Sequence, residues 1–86
     1  MLPSLPRIAQ TLDASGWLCP QPLIAARLAL GALSDGDCLE VIVTDPHGPL
    51  DFEVFCQRNK HRLLAIEPCT EASPASWRIY LQKSAH

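Results

Sequence analysis

The chain changes from an extended segment to an apolar, alanine-rich helix within the run SGWLCPQP, residues 15–22. Cys19 lies in this run, with a glycine before it and two prolines after it. Proline is tolerated in the first turn of a helix, because the amides of that turn have no helical partner. The run therefore predicts a strand-to-helix junction with a cysteine at the start of the helix.

The segments on either side of this junction show strand and helix patterns in turn. Strands are predicted at 8–13, 38–44, 63–69 and 77–82, and helices at 22–33 and 50–60. Right-handed crossovers make the first two strands parallel, and the last two strands form a hairpin. We predict an α/β fold of the α+β two-layer sandwich type, βαβαββ, with a four-stranded mixed sheet covered on one face by two helices.

Length and composition favour one small domain. The 86 residues, 48% of them apolar, provide for a single core, and we assign residues 8–83 to it, with loose tails at 1–7 and 84–86. The first residues fit neither a signal peptide nor a membrane anchor. The net charge of -2 and seven scattered basic residues argue against direct nucleic acid binding. Without a secretion signal, the four cysteines favour the reducing cytoplasm over a disulfide framework.

The position of Cys19 predicts a nucleophilic sulfur. The amino end of a helix favours thiolate over thiol. Pro20 and Pro22 remove two donors, which leaves the amides of Gln21 and Leu23 to face a sulfur anion. We expect an exposed and moderately stabilised thiolate. The alternative is a small buried side chain, but a junction bounded by glycine and prolines is a poor place for core packing.

The predicted topology gives Cys19 a neighbour. The loops after the first two strands emerge at one edge of the sheet, so the turn Asp45-Pro46-His47 should lie beside Cys19. His47 could polarise or deprotonate the thiol, although a solvated loop histidine is the favoured interpretation. Asp45 is expected to cap its turn or the following helix. A carboxylate close to the thiol would raise its pKa and oppose the helix dipole.

The first helix presents two apolar faces. The face toward the sheet should contain residues 23, 26, 29, 30 and 33. Ile24 and Leu28 lie on the other side with Arg27 between them, and they could form an exposed patch for partner docking. The alternative is a broad core stripe that buries them. In the second helix, Cys56 is expected to point into the core.

The stretch from Leu12 to Pro22 resembles the signature of the TusA family of small sulfur-carrier proteins, also called SirA-like. The resemblance extends over Thr11 to about Gln82. It continues at Arg27, Gly36, Asp45-Pro46, Asp51, Phe55-Cys56 and His61.

The resemblance implies a fold similar to the C-terminal domain of a translation initiation factor, and a persulfide on Cys19. The residues expected to support the site around Cys19 are Gly16, Pro20, Gln21, Pro22 and Asp45. Such proteins act as sulfurtransferases without a metal or organic cofactor: they accept sulfur from a cysteine desulfurase or similar donor and pass it to an acceptor protein. The best-known destination is 2-thiouridine in tRNA, and relatives serve molybdenum cofactor supply, sulfur oxidation or selenium metabolism.

The chain departs from the tRNA-thiolating members of that family at its surface. Those carry an acidic residue between the prolines and basic residues near the cysteine, where this chain has Gln21, Leu18 and Leu28. Two other functions stay open. One is a non-catalytic interaction module that docks through the first helix. The other is a thiol redox protein, less favoured because no resolving cysteine lies nearby.

Overall fold

The computed structural model describes residues 7–71 and 73–84. Within these residues the elements are β1 Ile8–Ala14, α1 Gln21–Ala32, β2 Cys38–Val43, α2 Gly48–Asn59, β3 Arg62–Cys69 and β4 Ser76–Gln82. The predicted order is confirmed. The second helix begins two residues earlier than predicted, at Gly48, because Pro49 fits the first turn, where no backbone donor is needed.

The four strands form one mixed sheet in the order β1-β2-β4-β3. Strands β1 and β2 are parallel, whereas β4 runs antiparallel to both β2 and β3. In the β1–β2 register, Ala14 lies opposite Val43, so both strands end at the same edge. The loops that follow them, which contain Cys19 and Asp45, therefore begin side by side.

Both helices cover one face of the sheet. Alternate β2 residues, Leu39, Val41 and Val43, are fully buried and share a single cluster with residues of both helices. The predicted inner face of α1 is confirmed: Ala26 and Leu30 are buried, and the other three residues pack against the cluster. The rest of the buried cluster consists of Ala14, Phe52, Phe55, Cys56, Ile79 and Leu81.

The opposite face of β2 carries a buried carboxylate. Glu40 is only 7% exposed and accepts hydrogen bonds of 2.9 Å from the hydroxyls of Thr11 and Tyr80. The Tyr80 hydroxyl also lies 3.1 Å from Glu67. Burial, together with these carboxylates, raises the pKa of Tyr80 to about 12. The polar groups of this face thus form a network separate from the Cys19 loop.

Of the predicted tails, residues 1–6 and 85–86 lie outside the described residues, so the tail assignment stays a prediction. Neither α1 nor α2 has the length and apolar character that a membrane-spanning helix requires, in the part of the chain that the structure describes.

Candidate functional site

Cys19 lies in the loop between β1 and α1, directly before the helix-capping residue Pro20, and is exposed as predicted. After β1 the chain turns sharply: the amide of Trp17 donates to the carbonyl of Ala14 at 3.1 Å. Gly16 lies inside this turn with a φ of 79°, in the left-handed region that favours glycine. The turn delivers Cys19 to the amino end of the helix.

Two hydrogen bonds join this loop to the one that follows β2. The amide of Gly16 donates to the Thr44 hydroxyl at 2.8 Å, and the amide of Cys19 donates to Asp45 Oδ2 at 3.4 Å. The predicted proximity of Cys19 to the Asp45 turn is confirmed. Asp45 therefore links the backbone of Cys19 to the loop after β2.

Asp45 also shapes its own turn. Its Oδ1 accepts the amide of His47 at 3.0 Å and lies 3.2 Å from the Nδ1 of the same residue. These contacts, led by the backbone bond from His47, hold the pKa of Asp45 below its usual value. The imidazole of His47 is 83% exposed and is paired with Asp45. This matches the favoured interpretation of His47 as a loop histidine.

A second carboxylate reaches Cys19 from α2. Asp51 lines the same recess as Cys19, and its side chain is the largest contribution that raises the pKa of Cys19. Loss of hydration and the negative charges of Asp51 and Asp45 act in the same direction. Beneath the thiol lies a recess of about 10 Å³, close to the smallest space that holds one water molecule. It is lined by Cys19, Pro22, Leu23, Val43, Asp45, Gly48, Asp51 and Phe52.

The expectation of a stabilised thiolate is therefore wrong. A negative sulfur next to Asp51 and Asp45 would be repelled, and the pKa of Cys19 is raised from its ordinary value, not lowered. The predicted role of the Gln21 amide is also wrong, because this amide donates to the carbonyl of Leu18 at 2.9 Å. Gln21 thus tightens the loop instead of facing the sulfur.

The other cysteines lie in different settings. Cys38 and Cys56 are buried, and burial raises the pKa of both thiols, that of Cys56 to about 11. Cys56 belongs to the core, as predicted. Cys69 is exposed at the end of β3. All four thiols are free.

The outer face of α1 carries the predicted apolar residues at its surface. Ile24 is 57% exposed and Leu28 is 73% exposed, so the alternative of a broad core stripe is wrong. Arg27 is also exposed between them. We use the name α1 patch for the shallow cleft lined by Trp17, Gln21, Ile24, Ala25 and Leu28.

Sequence reasoning left Asp51 out of the site. The sequence places it early in a helix, where a carboxylate complements the dipole, and that explanation is sufficient by itself. A second feature of the sequence, the spacing of Asp51 within the helix, indicates where its side chain lies. Asp51 falls at helical spacing with Gly48, Phe52 and Phe55, which places it on the buried side of α2 at its amino end. A carboxylate there points toward the loop edge of the sheet.

The fold and the site define a small α+β domain that presents an exposed cysteine at a strand-to-helix junction. Residues 10–83 match the family model described as sulfurtransferase TusA. The chain belongs to the TusA family, as the resemblance suggested. Membership supports a sulfur carrier role and implies contacts with sulfur donor and acceptor proteins.

Individual relatives agree with this assignment. The chain is 45% identical to a protein of Neisseria meningitidis serogroup A described as a candidate sulfur carrier, over 65% of this chain and 76% of the relative. It is 44% identical to the sulfur carrier protein TusA of Allochromatium vinosum, over 64% of this chain and 72% of that protein. The crystal structure of a SirA-like protein from Desulfitobacterium hafniense superposes with a TM-score of 0.70 at 22% identity, covering 88% and 99% of the two chains, and supports the fold.

Proposed function

We propose that the chain carries sulfane sulfur as a persulfide on Cys19. It accepts this sulfur from a cysteine desulfurase or a similar donor and passes it to an acceptor protein, with the covalent persulfide in place of a cofactor. The observation that carries the proposal is the exposed thiol at the junction of β1 and α1, in a chain whose family consists of sulfur carriers. The destination is tRNA thiolation or a related sulfur-trafficking route.

The chemistry is thiol–persulfide exchange. The Cys19 sulfur attacks the outer sulfur of a donor persulfide, a new S–S bond forms, and the S–S bond of the donor breaks. The donor leaves as a thiolate and is reprotonated, while the proton of the Cys19 thiol is released. The acceptor thiolate then attacks the outer sulfur on Cys19 in the same way. Neither step requires an external oxidant or reductant.

A donor or acceptor protein has to bring its own sulfur atom next to the sulfur of Cys19. The α1 patch includes Trp17 and Gln21, which lie on either side of Cys19 in the sequence. We propose that Ile24, Arg27 and Leu28 bind the donor or the acceptor, because large apolar side chains exposed together mark interaction surfaces. Leu18, 70% exposed next to Cys19, extends this apolar surface. The scattered basic residues support protein partners and not a direct contact with RNA.

Mass spectrometry after incubation with a desulfurase and cysteine tests the proposal. Wild type should gain one sulfur on the peptide that contains Cys19, and Cys19→Ser should not. The matched control is Cys69→Ser, which removes the other exposed thiol and should leave the gain intact. A full gain of sulfur in Cys19→Ser would contradict the proposal.

The exposed α1 patch also favours a second function, that of an interaction module whose thiol is dispensable. Complementation of a deletion strain separates the two functions. Rescue by Cys19→Ser but not by the double variant Ile24→Asp with Leu28→Asp would establish the interaction module. Loss of rescue in Cys19→Ser would establish the carrier.

A further inference from the structure

The cysteine of this carrier is surrounded by negative charge. Asp51 of α2 and Asp45 of the loop after β2 line the same recess as Cys19, and Asp45 also accepts the backbone amide of Cys19. His47 pairs with Asp45, with its imidazole in solvent. The only ionisable side chain of α1 itself is Arg27, which is exposed two turns beyond Cys19. The charges that a partner meets at the sulfur are therefore carboxylates.

The exposed thiol and Asp51 share a recess whose other walls are largely apolar. The walls of the recess beneath the thiol come from Pro22, Leu23, Val43 and Phe52. An S–S bond measures about 2 Å, so the outer sulfur of a persulfide on Cys19 has room beside Asp51 at the mouth of this recess. Charge interactions are stronger beside apolar walls than in open water.

We propose that Asp51 biases the carrier toward delivery of its sulfur, by keeping both the free thiol and the outer sulfur of the persulfide protonated. This inference rests on the proposed function of Cys19 as the persulfide site. Asp51 lines the recess beside the sulfur of Cys19, where the outer sulfur of the persulfide would also lie. It acts by setting their protonation.

The two half-reactions respond in opposite ways to this protonation. Uptake requires a nucleophilic Cys19, and a thiol is a weaker nucleophile than a thiolate. Delivery requires an electrophilic outer sulfur, and a neutral S–S–H group repels an incoming thiolate less than its anion does. When the acceptor thiolate attacks, its new S–S bond forms as the old one breaks. The proton travels with the transferred sulfur, and Cys19 leaves as a thiolate that is then reprotonated.

The substitution Asp51→Asn tests this bias, because it removes the charge and keeps the shape. Glu53→Gln is the matched control, since Glu53 is an exposed carboxylate on the same helix and is not part of the recess. Uptake is measured as the pH profile of Cys19 alkylation by iodoacetamide, followed on the Cys19 peptide by mass spectrometry. Delivery is measured as thiocyanate release when cyanide attacks Cys19 that has been loaded with inorganic polysulfide.

We expect Asp51→Asn to shift the alkylation profile to lower pH and to slow thiocyanate release near neutral pH. Glu53→Gln should behave as wild type in both assays. The proposal is overturned if Asp51→Asn changes neither rate, or if it slows both, as the loss of a general base or of the local structure would. Should no donor load Cys19, the proposed function fails by itself, and the alkylation profile still reports on Asp51.

A second measurement needs no variant and applies if Asp51→Asn does not fold. The alkylation midpoint of Cys19 in the wild-type chain is compared with that of an end-capped peptide containing residues 15–22. The peptide keeps the neighbours of Cys19 in sequence but lacks α2. A midpoint at higher pH in the folded chain supports the proposal, whereas an equal or lower midpoint overturns it.

Discussion

Gly48, the first residue of α2, packs directly against the side chain of Val43 in β2. A Cβ atom added to this buried glycine would lie 2.7 Å from Cγ2 and 3.3 Å from Cβ of Val43. Val43 is fully buried and β-branched, so its side chain is restricted in how far it can move aside. Overpacking of this kind costs about 1–3 kcal/mol. The better helix propensity of alanine offsets at most about 1 kcal/mol of that cost.

We therefore expect Gly48→Ala to destabilise the domain, with a fall in Tm of about 4–8 °C for each kcal/mol lost. Urea and thermal denaturation followed by circular dichroism measure the change. The control is Gly31→Ala, the same substitution near the end of α1, where an added Cβ meets nothing within 4 Å. That variant should gain about 0.4–1 kcal/mol.

A double variant identifies the cause of the loss. Val43→Ala removes both γ-carbons that the new Cβ would meet, so Gly48→Ala should cost less in that background, with a coupling of about 0.5–3 kcal/mol. Equal or greater stability of Gly48→Ala relative to wild type would refute the reasoning. So would a cost that is unchanged when Val43 is shortened.

Two further predictions concern the buried polar network around Tyr80 and the α1 patch. The pKa of Tyr80 is about 12 in the folded chain against an ordinary value of 10.0, so stability should fall as pH rises through this interval. Urea titrations should show a smaller fall in Tyr80→Phe, in which the raised pKa of Cys56, about 11, still contributes. At neutral pH that variant should lose about 1–3 kcal/mol, because buried Glu40 loses a donor. Ile24→Asp and Leu28→Asp should each change stability by no more than about 0.5 kcal/mol, because both side chains are exposed. Both variants should nevertheless impair sulfur transfer from a desulfurase. A normal transfer rate would argue against the α1 patch as a docking surface.

The architecture could be predicted because each element has its own local signal. The apolar run 38–43 can only be a buried strand in so small a domain, and the two-proline junction determines where α1 starts. Once β1 and β2 are parallel, Cys19 and Asp45 must share an edge, whatever the details of the loops. The angle of Ile24 and Leu28 on the helix predicted an exposed patch but left open a broad core stripe that would bury them, and only the structure decided between the two.

The protonation of Cys19 could not be predicted in the same way. It depends on which side chain of α2 faces the loop edge, and that is set by how closely α2 packs on the sheet. The sequence indicated two opposed influences on Cys19, the helix dipole and the carboxylate of Asp45, but it did not indicate the larger effect of Asp51. The amide of Gln21 likewise found a partner in the Leu18 carbonyl that no sequence pattern indicates.

The absence of a side chain at Gly48 connects the architecture of the domain to the protonation of Cys19. Because Gly48 has no Cβ, the first turn of α2 can lie directly against Val43, at the edge where β2 ends. Asp51 is one turn further along the same side of the helix, and Cys19 lies at that same edge. A larger residue at position 48 would move α2 away from Val43 and carry the carboxylate away from the sulfur. Gly48→Ala should therefore weaken the influence of Asp51 on Cys19 as well as the fold, and its alkylation profile should shift toward lower pH in conditions where the variant remains folded.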